Sequence, residues 1–233
     1  MQTYLLFAIL PMLLGMYAQY KIQNAYKKYS SIRTKTGVTG FEAARKMLDE
    51  HDLANVRIER VGGVLSDHYS PKEKVLRLSE GVFSSNSIAA VGVACHEAGH
   101  AYQHAENYSP LALRSMIIPV VNFGSRLGPI LFFIGLAISG GTDGGYTLAK
   151  IGLLIFSLTA VFAVITLPVE FNASNRAKEW LAESGLLYQD EINGVAEVLS
   201  AAAMTYVSAA IQAITNVLYY ASILNSRSRR SRR

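Results

Sequence analysis

His96-Glu97-Ala98-Gly99-His100 is the part of this sequence whose residue types and spacing can do chemistry. On a helix, histidines four residues apart lie on one face, near enough to share a metal ion. Neutral imidazole is a good ligand for Zn2+, at about 2.0–2.1 Å. Glu97 sits one residue past the first ligand and can reach a water in an open coordination position. Zinc lowers the pKa of such a water to about 7, and a neighbouring carboxylate can accept its proton as the oxygen attacks a carbonyl. The same carboxylate can then return the proton to a leaving amine. The plain alternative is a helix with two solvated or hydrogen-bonded histidines. The preceding run Val91-Gly92-Val93-Ala94-Cys95 predicts a buried helix, on which two imidazoles and a carboxylate are costly unless paired or ligating.

A catalytic zinc needs a third protein ligand, with water in the fourth position. His104 continues the i+4 spacing but lies about 12 Å along a straight helix from His96, too far to share one ion. Glu106 holds the position that a third histidine takes in metzincins, yet no glycine breaks the helix between His100 and Glu106. Glu170 is the better candidate. It follows directly on an uncharged apolar run, and Pro168 beside it suits the first turn of a helix reading on through Leu181. Its alternative role is a carboxylate at a helix N-terminus.

Four apolar stretches and one polar region must position these groups. Tyr4 to Tyr20 carries no charge and reads as a retained anchor rather than a cleaved signal peptide. Met116 to Ser139, interrupted by Arg126, and Ile151 to Val169 flank a glycine-rich loop, Gly140 to Gly145, and read as an antiparallel helical hairpin. Ala201 to Leu224 is apolar but diluted by Ser208, Gln212, Thr215 and Asn216, and either spans or packs on the other helices. Lys21, Lys27, Lys28, Arg33 and Lys35 follow the first stretch and none precedes it, which places residues 21 to 115 in the cytoplasm. On that orientation a fourth crossing would export the tail Arg227, Arg229, Arg230, Arg232 and Arg233, against the same rule.

Within the polar region, Thr39-Gly40-Phe41-Glu42 fits a capping box opening a helix to about Glu50. Val56 to Val61 and Lys74 to Leu78 alternate as strands do, and the turn-rich residues between them suggest an antiparallel pair. Ser87 to about His104 reads as the buried helix that carries the histidines.

Composition agrees with a membrane class. Of 233 residues, 51% are apolar and 17% charged, against about 25% charged in an average soluble domain. The net charge of +5 sits largely in the tail, which argues against nucleic-acid binding. Cys95 is the only cysteine, so neither an intrachain disulfide nor a zinc held by a cysteine cluster is possible.

The stretch Ala94 to His104, the later Pro168-Val169-Glu170-Phe171-Asn172-Ala173-Ser174, and Asp67-His68-Tyr69 followed by Val75 to Ser79 resemble the YugP-type neutral zinc metallopeptidases of bacterial membranes. The resemblance implies a gluzincin-like site with His96, His100 and Glu170 as ligands and Glu97 as base. It also implies that strand Val75 to Leu78 lines the cleft and pairs with an extended substrate. The arrangement is similar to HtpX and the CAAX prenyl proteases, whose later motif is E-x-x-x-D, but Ser174 occupies the aspartate position here. Asn172 or Ser174 is then a candidate to orient His96 or His100. His68, Tyr69 and Arg176 are chemically able to donate to an oxyanion.

The expected protein is mainly α: an integral-membrane helical protein with a small α+β, zincin-like peptidase domain and one zinc per chain. It divides into an N-terminal membrane anchor (1–20), a peptidase domain with the His-Glu-x-x-His helix (21–115), a transmembrane hairpin (116–169), a helix carrying the third ligand (170–200), a fourth apolar helix (201–225) and a basic tail (226–233). A multi-pass protein of the bacterial cell membrane with a cytoplasmic active site is expected. Its partners are the lipid bilayer and a peptide or membrane-protein substrate, not nucleic acid. The alternatives are a non-hydrolytic zinc-binding membrane scaffold, and a membrane-structural protein in which the motif is accidental.

Overall fold

A computed structural model describes residues 2–138 and 143–231. Met1, residues 139–142 at the start of the glycine-rich loop, and the last two arginines of the tail lie outside the described residues. Among the described residues there are seven helices and one small sheet: α1 (Gln2–Ser30), α2 (Gly40–Glu50), β1 (Arg57–Val61), β2 (His68–Ser70), β3 (Val75–Ser79), α3 (Glu80–Phe83), α4 (Ile88–Ala105), α5 (Ser109–Ile138), α6 (Asp143–Glu183) and α7 (Gln189–Ser231). The fold is therefore mainly helical with a small α+β part. Two compact units result, one of residues 18–112 with 168–205 and the other of 1–17, 113–167 and 206–233.

In the first unit, the capping box forms as the sequence predicts. The Thr39 hydroxyl accepts from Glu42 N, and the Glu42 carboxylate accepts from Thr39 N, so two otherwise orphaned N–H groups at the start of α2 are satisfied. Ser87 caps α4 by accepting from Ala90 N at 3.2 Å. Ala43, Ala44, Met47 and Leu48 of α2 join Ala94, Cys95, Ala98 and Ala101 of α4 in one core with Leu76, Leu78, Ala177 and Leu181. The α4 helix is thus fixed on a face other than the one its histidines use.

The sheet differs from the expectation. Strands β1 and β3 pair in parallel, with Arg57 opposite Val75 and Val61 opposite Ser79, and β2 pairs antiparallel to β3 on its other side. The antiparallel reading of Val56–Val61 with Lys74–Leu78 is therefore wrong. Val75, Leu76 and Leu78 are all fully buried, so β3 needs cover on both flanks and takes the central place, with no free edge for the extended substrate expected to pair with it. Residues 62–74 give enough chain for the crossover that parallel pairing requires. They also supply β2, which the sequence presented only as turn residues. Its register is pinned by Asp67, whose carboxylate accepts from Ser79 N at 2.7 Å and from the Ser79 hydroxyl at 3.0 Å.

Among the described residues, three helices that run into the second unit are long and apolar enough to cross a membrane, Ser109–Ile138, Gly144–Glu183 and Gln189–Ser226. Ile130, Phe133 and Leu154 are exposed there, as suits a lipid-facing surface. Helices α5 and α6 pack backbone against backbone. A Cβ on Gly135 would meet the amide of Ala149, and one on Gly152 the amide of Phe132. Small residues at such crossings let membrane helices approach closely. Phe132, Leu136, Ala149 and Leu224 form this unit's buried cluster.

Helix α6 does not begin at Pro168. It runs unbroken from Asp143 to Glu183 with the proline inside it, where a neighbouring helix can re-satisfy the backbone groups that proline leaves unbonded. Glu170 therefore belongs to the same helix as the apolar run before it.

Candidate active site

The face of α4 that carries the motif repeats at i, i+3, i+4, i+7 as His96, Gly99, His100 and Gln103. The facing stripe of α6 repeats in the same way as Glu170, Ala173, Ser174 and Ala177, all of them buried. The smallest residues lie where the two helices come closest. A Cβ on Gly99 would lie 2.7 Å from the carbonyl oxygen of Ala173. Any larger residue at 99 would push α6, and Glu170 with it, away from the histidines.

At this crossing Glu170 Oε2 stands 3.3 Å from His96 Nε2 and 3.6 Å from His100 Nε2. Among the described residues, His96, His100 and Glu170 are the one group of three His, Cys, Asp or Glu residues whose ligand atoms lie mutually close enough, within 4.8 Å, to hold a metal. Ligands at about 2.0–2.1 Å from a tetrahedral zinc stand about 3.3–3.4 Å from one another, so the two separations of Glu170 from the imidazoles fit that ion. The donor set fits as well. Two imidazoles and a carboxylate, with one position left for water, are a known catalytic zinc arrangement.

Glu97 is held beside this group. Its Oε2 accepts from Tyr69 N at 3.1 Å, a bond from the edge strand β2. Burial pushes the Glu97 carboxyl above the usual carboxylate range, against the opposing pull of His100 and His96. A raised pKa suits a group that must take up a proton and later release it near neutral pH.

The remaining candidates are placed as follows. Ser174 Oγ lies 3.1 Å from His96 Nδ1, so it can orient that ring. Asn172 does not touch either histidine. Its Oδ1 accepts from Gln103 Nε2 at 2.9 Å and from Arg176 Nε at 2.8 Å. His68 is exposed, with Nδ1 2.8 Å from the Ser66 carbonyl oxygen. Arg176 is committed to Glu106 at 2.6 Å and stacks over the Tyr102 ring. His104 Nδ1 shares a hydrogen bond of 2.9 Å with the Tyr69 hydroxyl. Neither His104 nor Glu106 joins the three-residue group.

Sequence reasoning missed two participants. Gln103 is fully buried, and its Oε1 lies 3.0 Å from His100 Nδ1. The signal was available, since an amide three residues past a histidine shares its helix face. The other is the Tyr69 backbone N–H. Its reach to Glu97 depends on β2, which no local pattern announced.

Comparison with known proteins agrees with this geometry. A family profile described as "Putative neutral zinc metallopeptidase" matches residues 4–225. The chain is 46% identical over 215 residues to "Putative membrane protease YugP" of Bacillus subtilis (strain 168), covering 92% of this chain and 93% of that protein. No solved structure matches the chain. With a His-His-Glu group inside a match that spans nearly its whole length, the chain belongs to the neutral zinc metallopeptidase family.

Proposed function

We propose that the chain is a membrane-bound, zinc-dependent endopeptidase in which His96, His100 and Glu170 hold the metal and Glu97 is the general base. The observation that carries this reading is the convergence of those three ligand atoms from two helices with Glu97 alongside. Zinc bound there supplies Lewis-acid chemistry, acidifying water and polarising a scissile carbonyl. The Tyr69 N–H holds Glu97 Oε2, leaving Oε1 to take the proton from the attacking water. Glu97 then delivers that proton to the amide nitrogen as the C–N bond breaks, so one water and one peptide bond become a carboxylic acid and an amine. Ser174 keeps the His96 ring in place during this exchange. A scaffold protein has no need of such a base.

Membrane-associated or misfolded polypeptides are the substrate class we assign. The support is the position of Glu170, which directly follows the apolar run 151–169 on one continuous helix. The test is a zinc determination on protein purified in detergent, combined with casein proteolysis before and after a strong chelator. About one zinc per chain is expected, with cleavage lost on chelation and restored by added zinc. Cleavage that persists in metal-free protein would overturn the reading.

The lysine cluster after the first apolar stretch favours a cytoplasmic active site, with Asp143 outside and residues 1–20 as an anchor. Cys95 is buried, and replacing it with serine leaves a clean background for labelling. In intact cells an impermeant thiol reagent should label Asp143→Cys and spare Lys27→Cys. The reverse pattern would invert the topology.

A further inference from the structure

We propose that Gln103 and Asn172 form a relay that fixes the proton of His100 on Nδ1 and so presents the Nε2 lone pair to the metal. The proposal rests on the zinc reading of the site given above. Which way an amide points is ordinarily an assignment, because its oxygen and nitrogen look alike. Here groups with only one possible role settle it. The carbonyl oxygen of Val169 can only accept, and it lies 2.8 Å from one end of the Gln103 amide. That end must be Nε2. The Arg176 guanidinium can only donate, and its Nε lies 2.8 Å from one end of the Asn172 amide. That end must be Oδ1.

The two assignments agree, since Gln103 Nε2 then donates its second hydrogen to Asn172 Oδ1 at 2.9 Å. Gln103 Oε1 is left facing His100 Nδ1 at 3.0 Å, and an oxygen there requires Nδ1 to carry the hydrogen. A neutral ring protonated at Nδ1 has its lone pair on Nε2, the atom 3.6 Å from Glu170. Arg176, itself held by Glu106, thus orders an imidazole that it never touches. His96 has a different device, the Ser174 hydroxyl. The two ligands are oriented independently, one from α6 directly and one through α4's own Gln103.

Gln103 and Asn172 are positioning residues, and conservative variants distinguish that role from simple packing. In Asn172→Asp the carboxylate still accepts from both Gln103 and Arg176, so the relay stays whole. In Asn172→Leu the volume is kept but the acceptor is lost. Gln103→Leu removes the contact with His100 itself.

Zinc affinity would be read by competition with a fluorescent chelator, and the melting of the metal-free variants would be followed in parallel. Gln103→Leu should bind zinc about 10–100-fold more weakly, the range typical of losing a group that orients a ligand. Asn172→Leu should fall near the lower end, about 10-fold, while Asn172→Asp binds at least as well as wild type. Metal-free Asn172→Leu should still melt cooperatively, a little below wild type, because Gln103 and Arg176 lose a shared acceptor. Undiminished affinity in Asn172→Leu would overturn the relay, as would an equal loss in Asn172→Asp and Asn172→Leu. If Asn172→Leu fails to fold, the Asn172→Asp and Gln103→Leu pair decides by the same comparison. A wild-type chain that took up no zinc would overturn the reading of the site and the relay with it, whereas zinc-loaded wild type with unaffected variants removes the relay alone.

Discussion

Glu97→Gln should keep its zinc and its fold and lose hydrolysis, with turnover down about 100- to 10,000-fold, the usual contribution of a positioned base. Glutamine has the shape of glutamate, and its side-chain oxygen can still accept from Tyr69 N, the bond that ties β2 to α4. It cannot take a proton from water. The substitution therefore removes one chemical capacity and little packing, and none of the three proposed ligands changes. The check is zinc stoichiometry and proteolysis on the same purified sample. A variant that holds zinc and cleaves at the wild-type rate would falsify the role given to Glu97. One that loses zinc as well as activity would mark Glu97 as part of the metal cage instead.

The parts of this site that were legible in the sequence are those written at helical spacing. His96 and His100 share a face because i and i+4 always do on a helix, and the capping box at Thr39 announces where α2 begins. The crossing of α4 with α6 was half-legible. Gly99 and Ala173 are the small residues such a crossing needs, but nothing local says that these two, 74 positions apart, should meet.

What could not be read depends on partners distant in the chain. Strand β2 has three residues and no alternation to display, and it is held by Asp67 on Ser79 and by Tyr69 on Glu97. The parallel pairing of β1 with β3 follows from the burial of β3 on both sides, a property of the assembled unit rather than of either strand. Pro168 misled for a related reason. Taken alone a proline suits a helix start, yet within a long apolar helix its lost hydrogen bond is tolerated, so Glu170 sits mid-helix. Arg176 was read as an oxyanion donor because its charge is visible in sequence while its engagement with Glu106 and Asn172 is not.

Glu170→Ala should lose zinc far beyond the 10- to 100-fold typical of disturbing a group that only orients a ligand. A helix supplies two ligands from His96 and His100, and the third must come from elsewhere. No other histidine brings a ring nitrogen to this pair: among the described residues only His96, His100 and Glu170 hold their ligand atoms within 4.8 Å of one another. Glu106 is bound to Arg176. Glu170 is only 2% exposed and faces both imidazoles, so removing it takes away the one anionic ligand of the proposed site. Glu170→Gln controls for the cavity that alanine leaves, because it keeps the volume and loses the charge. Both variants would be dialysed against a weak chelator and their zinc counted beside wild type and Asn172→Leu. The expected order of retention is wild type, then Asn172→Leu, then Glu170→Gln, with Glu170→Ala last. Full zinc occupancy in Glu170→Ala, with normal proteolysis, would remove Glu170 from the metal and send the third ligand to Glu106 or His68, neither of which stands with the two histidines in this structure.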